Sequence, residues 1–145
     1  MQQKRVVGTS SPDGAWIKFP KVDQPLFKLY WFPFSCGAAT TGAQLWSYLP
    51  PRTEVICLNS PSKQRDPAAF PTWRSFADFV FPLIVKDLAE TPGVRFAFVG
   101  HSFGSLVFYL VLLYMRRAAH RLPEFVVVSS KRAPQLHDEN GERGL

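Results

Sequence analysis

Two cysteines and three histidines are all that this 145-residue chain carries of the side chains that cross-link proteins or ligate soft metals. Cys36 and Cys57 stand far apart with no CxxC spacing. That excludes a disulfide framework and a thiolate metal site, and both are expected as free thiols. Long apolar runs are missing too. The longest, Phe103 to Met115, has thirteen residues, short of the about 20 needed to cross a bilayer, so a core helix is expected and no membrane span. Residues 1–24 are mixed and polar, without the apolar stretch of a signal peptide, which makes a cytoplasmic location the expectation. The chain has no internal repeat, Gly-rich phosphate loop, paired carboxylates or basic-aromatic interleaving. Nothing therefore points to nucleotide, metal or nucleic-acid chemistry.

What is present suits one folded domain. Hydrophobic residues make up 46% of the chain and charged residues only 19%, enough apolar material for a core and too little charge for wholesale disorder. The net charge of +6 favours an acidic partner. Thirteen prolines mostly punctuate the chain: Pro12, Pro20 and Pro25 in an amino-terminal arm, Pro50-Pro51 after a first helix, and Pro61, Pro67 and Pro71 through a loop from Asn59 to Thr72. Residues 73–90 read as a helix in which Pro82 marks a kink or a restart.

The most informative stretch is Gly100-His101-Ser102-Phe103-Gly104. Before it, Phe96 to Val99 follows the turn signal Thr91-Pro92-Gly93 and suits a buried parallel strand. After it, Ser105 to Met115 is apolar and free of Gly and Pro, as a buried helix would be. By composition alone G-x-S-x-G arises in about one chain of this length in twenty, so the strand and helix around it carry the assignment. A serine on such a sharp strand-to-helix turn is a nucleophile elbow, with glycines where side chains would meet packed backbone. The helix amino terminus then offers free N–H groups to an oxyanion. Ser102 is the candidate nucleophile. His101, beside it, is expected to pack under the elbow.

A second strand-like run, Leu26 to Phe32, opens into the small-residue loop Phe34-Ser35-Cys36-Gly37-Ala38. In serine hydrolases of this architecture one oxyanion N–H comes from the residue after the nucleophile and another from a loop after an earlier strand. Those residues here are Phe103 and Ser35. Strands are expected near 26–32, 54–58, 95–99 and 125–129, separated by helices, in an α/β fold with a parallel sheet.

Phe32-Pro33-Phe34-Ser35-Cys36-Gly37-Ala38, Leu45-Trp46, Leu49-Pro50, Ser60-Pro61-Ser62-Lys63-Gln64-Arg65, Gly100 to Ser105 and Ser129-Ser130-Lys131-Arg132-Ala133-Pro134 occur in the order and at about the spacing seen in type II thioesterases. The chain resembles that family over about residues 26 to 136. The resemblance implies an α/β-hydrolase fold, a Ser-Asp-His triad and no metal or organic cofactor. It also implies an acyl or peptidyl carrier protein bearing acyl-phosphopantetheine as partner, in fatty acid, polyketide or non-ribosomal peptide synthesis. Two departures stand out. Family members usually carry Ala-Gly-Gly at Ser35-Cys36-Gly37 and Pro-Gly-Arg at Pro61-Ser62-Lys63, although a basic residue persists at Arg65.

The family's acid and histidine lie downstream of the segment like Ala133-Pro134, and nothing here matches them. On a helix from about 104 to 120, rising 1.5 Å per residue, His120 lies roughly 25 Å from the elbow, and Glu124 shares that far end. His137, with Asp138 beside it, is past the carboxyl end of the last strand and is the candidate base. The domain division expected is a polar arm at 1–24, a partial α/β-hydrolase domain at 25–136 and a polar tail at 137–145. Three functions follow as expectations: a carrier-protein thioesterase working through an acyl-serine, an inactive remnant or carrier-binding module without the triad Asp and His, and a general carboxylesterase.

Overall fold

A computed structural model describes residues 8–20 and 22–131. Six strands form one mixed sheet in the order β1-β2-β4-β3-β5-β6. They are β1 (Thr9–Ser10), β2 (Trp16–Phe19), β3 (Phe27–Phe32), β4 (Thr53–Leu58), β5 (Arg95–His101) and β6 (Phe125–Ser129). The last four are parallel, as expected, and the three connections between them are crossovers. The stretch expected to be a polar arm instead supplies β1 and β2, and β2 pairs antiparallel with β4, Ile17 opposite Cys57. That pairing covers the outer edge of β4, whose six residues are all buried.

Alternation along the parallel strands divides the core in two. On one face, Tyr30, Phe32, Ile56, Leu58, Phe96 and Phe98 pack beneath α2 (Trp73–Ala89) and α3 (Phe103–Arg117). Rings interlock edge to face here, Phe32 against Phe98 at 5.1 Å and Phe108 at 5.7 Å. On the other face, Leu29, Val55, Cys57 and Ala97 pack with Ala39 and the partly buried Leu45 and Leu49. Those last three come from α1 (Thr40–Ala43), the 3₁₀ turn Gln44–Tyr48 and their flanks. Gly42 lies in this short helix where a Cβ would meet the Trp31 ring at 2.4 Å, so close approach to the sheet takes precedence over helix propensity at that position.

Thr72 opens α2 with a reciprocal capping box to Ser75. Phe76, Ala77, Val80, Ile84 and Leu88 then recur on one buried face. Pro82 neither ends nor restarts this helix, which runs unbroken to Ala89. Its ring sits on the exposed side, opposite the buried stripe.

α3 ends in a Schellman motif: the His120 N–H reaches the Met115 carbonyl at 2.9 Å and the Ala119 N–H reaches Arg116 at 3.2 Å. Ala119 takes φ +55° there, a conformation that suits glycine. Ala119→Gly is expected to stabilise the protein by about 1 kcal/mol and raise the melting temperature by about 3 °C. Paired thermal melts check this; a lower midpoint would mean the αL strain is relieved elsewhere.

β6 closes the described sheet. Phe125, Val126, Val127 and Val128 are 51%, 42%, 43% and 52% exposed, apolar on both faces of the strand. Among the described residues no helix is long and apolar enough to cross a membrane.

Candidate active site

The elbow forms where β5 runs into α3. Ser102 takes φ +50° and ψ −113°, outside the regions L-residues ordinarily occupy. Such a conformation costs about 1–3 kcal/mol and persists only where surrounding contacts hold it. Those contacts are visible. The Ser102 N–H donates to the Ser129 carbonyl of neighbouring β6 at 2.8 Å, and the Ser105 N–H closes back onto the Ser102 carbonyl at 3.0 Å. Both motif glycines are required by close approach. A Cβ on Gly100 would lie 2.5 Å from the Phe108 ring and 2.8 Å from the Ser105 Cα. One on Gly104 would lie 2.1 Å from the Phe32 carbonyl oxygen.

Gly104 also explains how the second half of the site is positioned. α3 starts against the exit of β3, and the chain leaving β3 turns at once, with the Gly37 N–H donating to the Phe34 carbonyl at 2.8 Å. Ser35 and Cys36 are the two central residues of that turn. The turn is tied to the segment after β4: Ser60 N–H to Gly37 O at 3.0 Å, and Ser62 Oγ to Ser35 O at 3.4 Å. Asn59 reinforces it, accepting from the Ala39 N–H at 2.8 Å while donating to the Gly14 carbonyl at 2.9 Å. Three loops at one end of the sheet are thereby knotted through a single amide, a role that spacing alone did not reveal.

Ser35 and Phe103 line the same cleft, of about 350 Å³, with Pro61, Ser62, Phe70 and Trp73 among its walls. Phe103 is the first residue of α3, so its N–H has no acceptor within the helix. The cleft thus joins the free N–H at the start of α3 to the turn after β3, one residue along the chain from the strained Ser102.

The imidazoles are placed elsewhere. His101 Nδ1 lies 3.0 Å from Ser129 Oγ, and its ring meets Phe34 edge to face at 6.0 Å. His120 packs on Phe81 beyond the carboxyl end of α3, as the helix rise requires. His137 and Asp138 lie outside the described residues. Cys36 is exposed and Cys57 buried, both as free thiols. Burial alone pushes the Cys57 thiol up to about 12, which leaves it unreactive near neutral pH.

A thioesterase-domain family profile matches residues 27–144. The chain belongs to the thioesterase-domain family. A curated relative, the gramicidin S biosynthesis protein GrsT of Aneurinibacillus migulanus, is 23% identical over 109 residues, 75% of this chain and 42% of that protein. Among solved structures, the type II thioesterase BorB of the borrelidin cluster aligns at a TM-score of 0.63 and 24% identity, covering 79% of this chain and 46% of that one. RedJ, a thioesterase of the prodiginine pathway in Streptomyces coelicolor, aligns at 0.66 and 24%, covering 78% and 42%. At these identities the structural likeness is one of fold, an α/β-hydrolase sheet. This thioesterase-domain chain spans less than half the length of these three relatives.

Proposed function

We propose that this chain acts on acyl groups held as phosphopantetheine thioesters on an acyl or peptidyl carrier protein of fatty acid, polyketide or non-ribosomal peptide synthesis, hydrolysing them through an acyl-serine. The observation that carries the reading is Ser102 on its strained elbow at the start of α3, beside a knotted turn that shares a cleft with Phe103. The family match supports it, as does the description of neighbours such as YbtT as a type II thioesterase of an NRPS/PKS pathway.

In this reading the Ser102 oxygen attacks the thioester carbonyl carbon and its proton passes to a base, for which His137 is the chain's candidate. The carbonyl electrons move to oxygen, held by the N–H groups of Phe103 and Ser35. Each such donor is worth about 3 kcal/mol of transition-state stabilisation. Collapse expels the thiolate, which takes the proton from the base. Water then attacks the acyl-serine, giving its proton to the base, and the second collapse returns that proton to Ser102 and releases the carboxylic acid.

Intact mass after exposure to a fluorophosphonate tests the nucleophile. Wild type is expected to gain one adduct and Ser102→Ala none; an adduct that survives the substitution would place the reactive group elsewhere. One observation favours a second reading, a carrier-binding module without turnover: among the described residues His101 is bonded to Ser129 and His120 is remote, so neither imidazole serves Ser102. A site lacking its base retains on the order of 10³–10⁴-fold acceleration over water. Binding of an acyl-carrier protein with no adduct on folded wild type would select that reading.

A further inference from the structure

The last rung between β5 and β6 pairs His101 with Ser129. Both strands break immediately beyond it, Ser102 at φ +50° and Ser130 at φ +55°. The rung is thus the final tie before two strained turns, and Ser129 makes it twice. Its carbonyl takes the Ser102 N–H at 2.8 Å, and its hydroxyl meets His101 Nδ1 at 3.0 Å. The His101 ring also meets Phe34, the residue before Ser35, edge to face at 6.0 Å. His101 is therefore gripped between the end of β6 and the turn that carries the second oxyanion donor.

We propose that Ser129 is a positioning residue for Ser102, fixing the His101 ring through its hydroxyl and so holding the elbow at a set distance from the Phe34–Ser35 turn. The proposal rests on the reading of Ser102 as nucleophile. The carbonyl bond alone would restrain the Ser102 backbone, and any residue at position 129 supplies it. The hydroxyl adds what the backbone cannot. It saturates one ring nitrogen of a half-buried imidazole and restrains rotation of a side chain that touches both the end of β6 and the Phe34–Ser35 turn. The ring then acts as a spacer rather than a base. An error of about 1 Å in such spacing is enough to cost about 100-fold in rate, so a partial loosening should be visible well before the fold is disturbed.

Ser129→Ala removes only the hydroxyl, and Ser129→Thr keeps it on a residue suited to a strand. The second-order rate of fluorophosphonate labelling at Ser102 is expected to fall about tenfold in Ser129→Ala and to stay within about twofold of wild type in Ser129→Thr, with melting temperatures of all three within about 2 °C. A readout independent of labelling is the ¹⁵N spectrum of the His101 ring. Wild type and Ser129→Thr should share one set of ring signals, and Ser129→Ala should show the Nδ1 signal shifted and averaged by loss of the hydrogen bond. Wild-type labelling with unchanged ring signals in Ser129→Ala overturns the proposal, and so does equal slowing in both variants, which would make the effect one of packing. If wild type does not label at all, the nucleophile reading fails separately. The ring signals still decide the grip: averaging in Ser129→Ala alone supports it, and no change overturns it.

Discussion

Asp87→Ala is expected to cost about 3–5 kcal/mol of folding stability, the range for removing one partner from a buried ion pair. Asp87, 3% exposed in the last turn of α2, lies at the end of the sheet opposite the elbow. Lys28 Nζ donates to its carboxylate at 2.7 Å and to its carbonyl at 3.0 Å. The Tyr30 hydroxyl donates to the same carboxylate oxygen at 2.6 Å, and Lys18 bonds the other oxygen. Without the carboxylate, Lys28, at 1% exposure, keeps the residue-87 backbone carbonyl at 3.0 Å but no closer counter-charge than Glu54 at 3.9 Å, and that acid is shared with Lys18 at 3.5 Å. An ammonium group cannot stay charged there cheaply, nor can the Tyr30 hydroxyl stay unpaired. For a domain with the usual stability of about 5–15 kcal/mol, the loss is a large fraction of the whole. Replacing both partners, Asp87→Leu with Lys28→Met, should recover part of it: the buried ammonium is gone and Glu54 keeps Lys18 at 3.5 Å, while the Tyr30 hydroxyl stays unpaired. Urea unfolding of the three proteins checks this; a cost under about 1 kcal/mol for Asp87→Ala would mean that Lys28 escapes to water.

The same cluster fixes the pH window. Burial pushes the Asp87 carboxyl up, but hydrogen bonds from Lys18, Lys28 and Tyr30 outweigh it and hold the group below its ordinary 3.8. Its contribution is therefore present above that ordinary value and lost as pH falls through the lower folded one. Burial pulls Lys18 down, but Asp87 and Glu54 outweigh that and raise it above 10.5, while burial and then Asp87 raise Tyr30 well above 10. Both contributions are present below the ordinary values and lost as pH climbs through the folded ones. Stability should be level from about pH 5 to 9, and Asp87→Ala should flatten the acid limb first.

None of this cluster was legible in the sequence, for a physical reason. Lys28 interrupts an apolar run, and Lys18 sits in the four-residue strand Trp16–Phe19, so periodicity reads both as solvent-facing. The acid that neutralises them is 59 residues from Lys28 in the chain. Long-range charge pairing leaves no local trace, and β2, which depends on that pairing and on β4, was read as a polar arm. The four parallel strands were legible because their runs are mostly apolar, β3, β4 and β5 from burial within the sheet and β6 although its residues are exposed in the structure. The elbow was legible for another reason, because its glycines answer to contacts only that geometry creates. Ser129 lay between these cases. Its segment belonged to the family resemblance, but the bond to His101 becomes visible only when β6 is set in register beside β5.

Gly104→Ala is expected to cost at least about 3 kcal/mol and to slow Ser102 labelling about 100-fold. The reason is not backbone freedom. Gly104 lies in the first turn of α3, where alanine is the better helix former by about 1 kcal/mol. The obstacle is β3: the added Cβ would sit 2.1 Å from the Phe32 carbonyl oxygen, 2.5 Å from its carbon and 2.7 Å from the Pro33 oxygen. Those atoms cannot yield, because Phe32 is fully buried at the end of a strand paired on both sides. Carbon-to-oxygen contacts settle at about 3.3–3.6 Å, so α3 must retreat by more than 1 Å. It would carry Ser102 and the Phe103 N–H away from the Phe34–Ser35 turn. Gly93→Ala is the contrasting control. Its φ is +83° with nothing within 4 Å of the new Cβ, so it should cost about 1 kcal/mol of backbone strain and leave labelling unchanged. Equal losses in the two variants would mean that global stability, rather than the contact between β3 and α3, governs the reactivity of Ser102. Unequal losses in the predicted order would assign that contact the task of holding the nucleophile against its oxyanion donors.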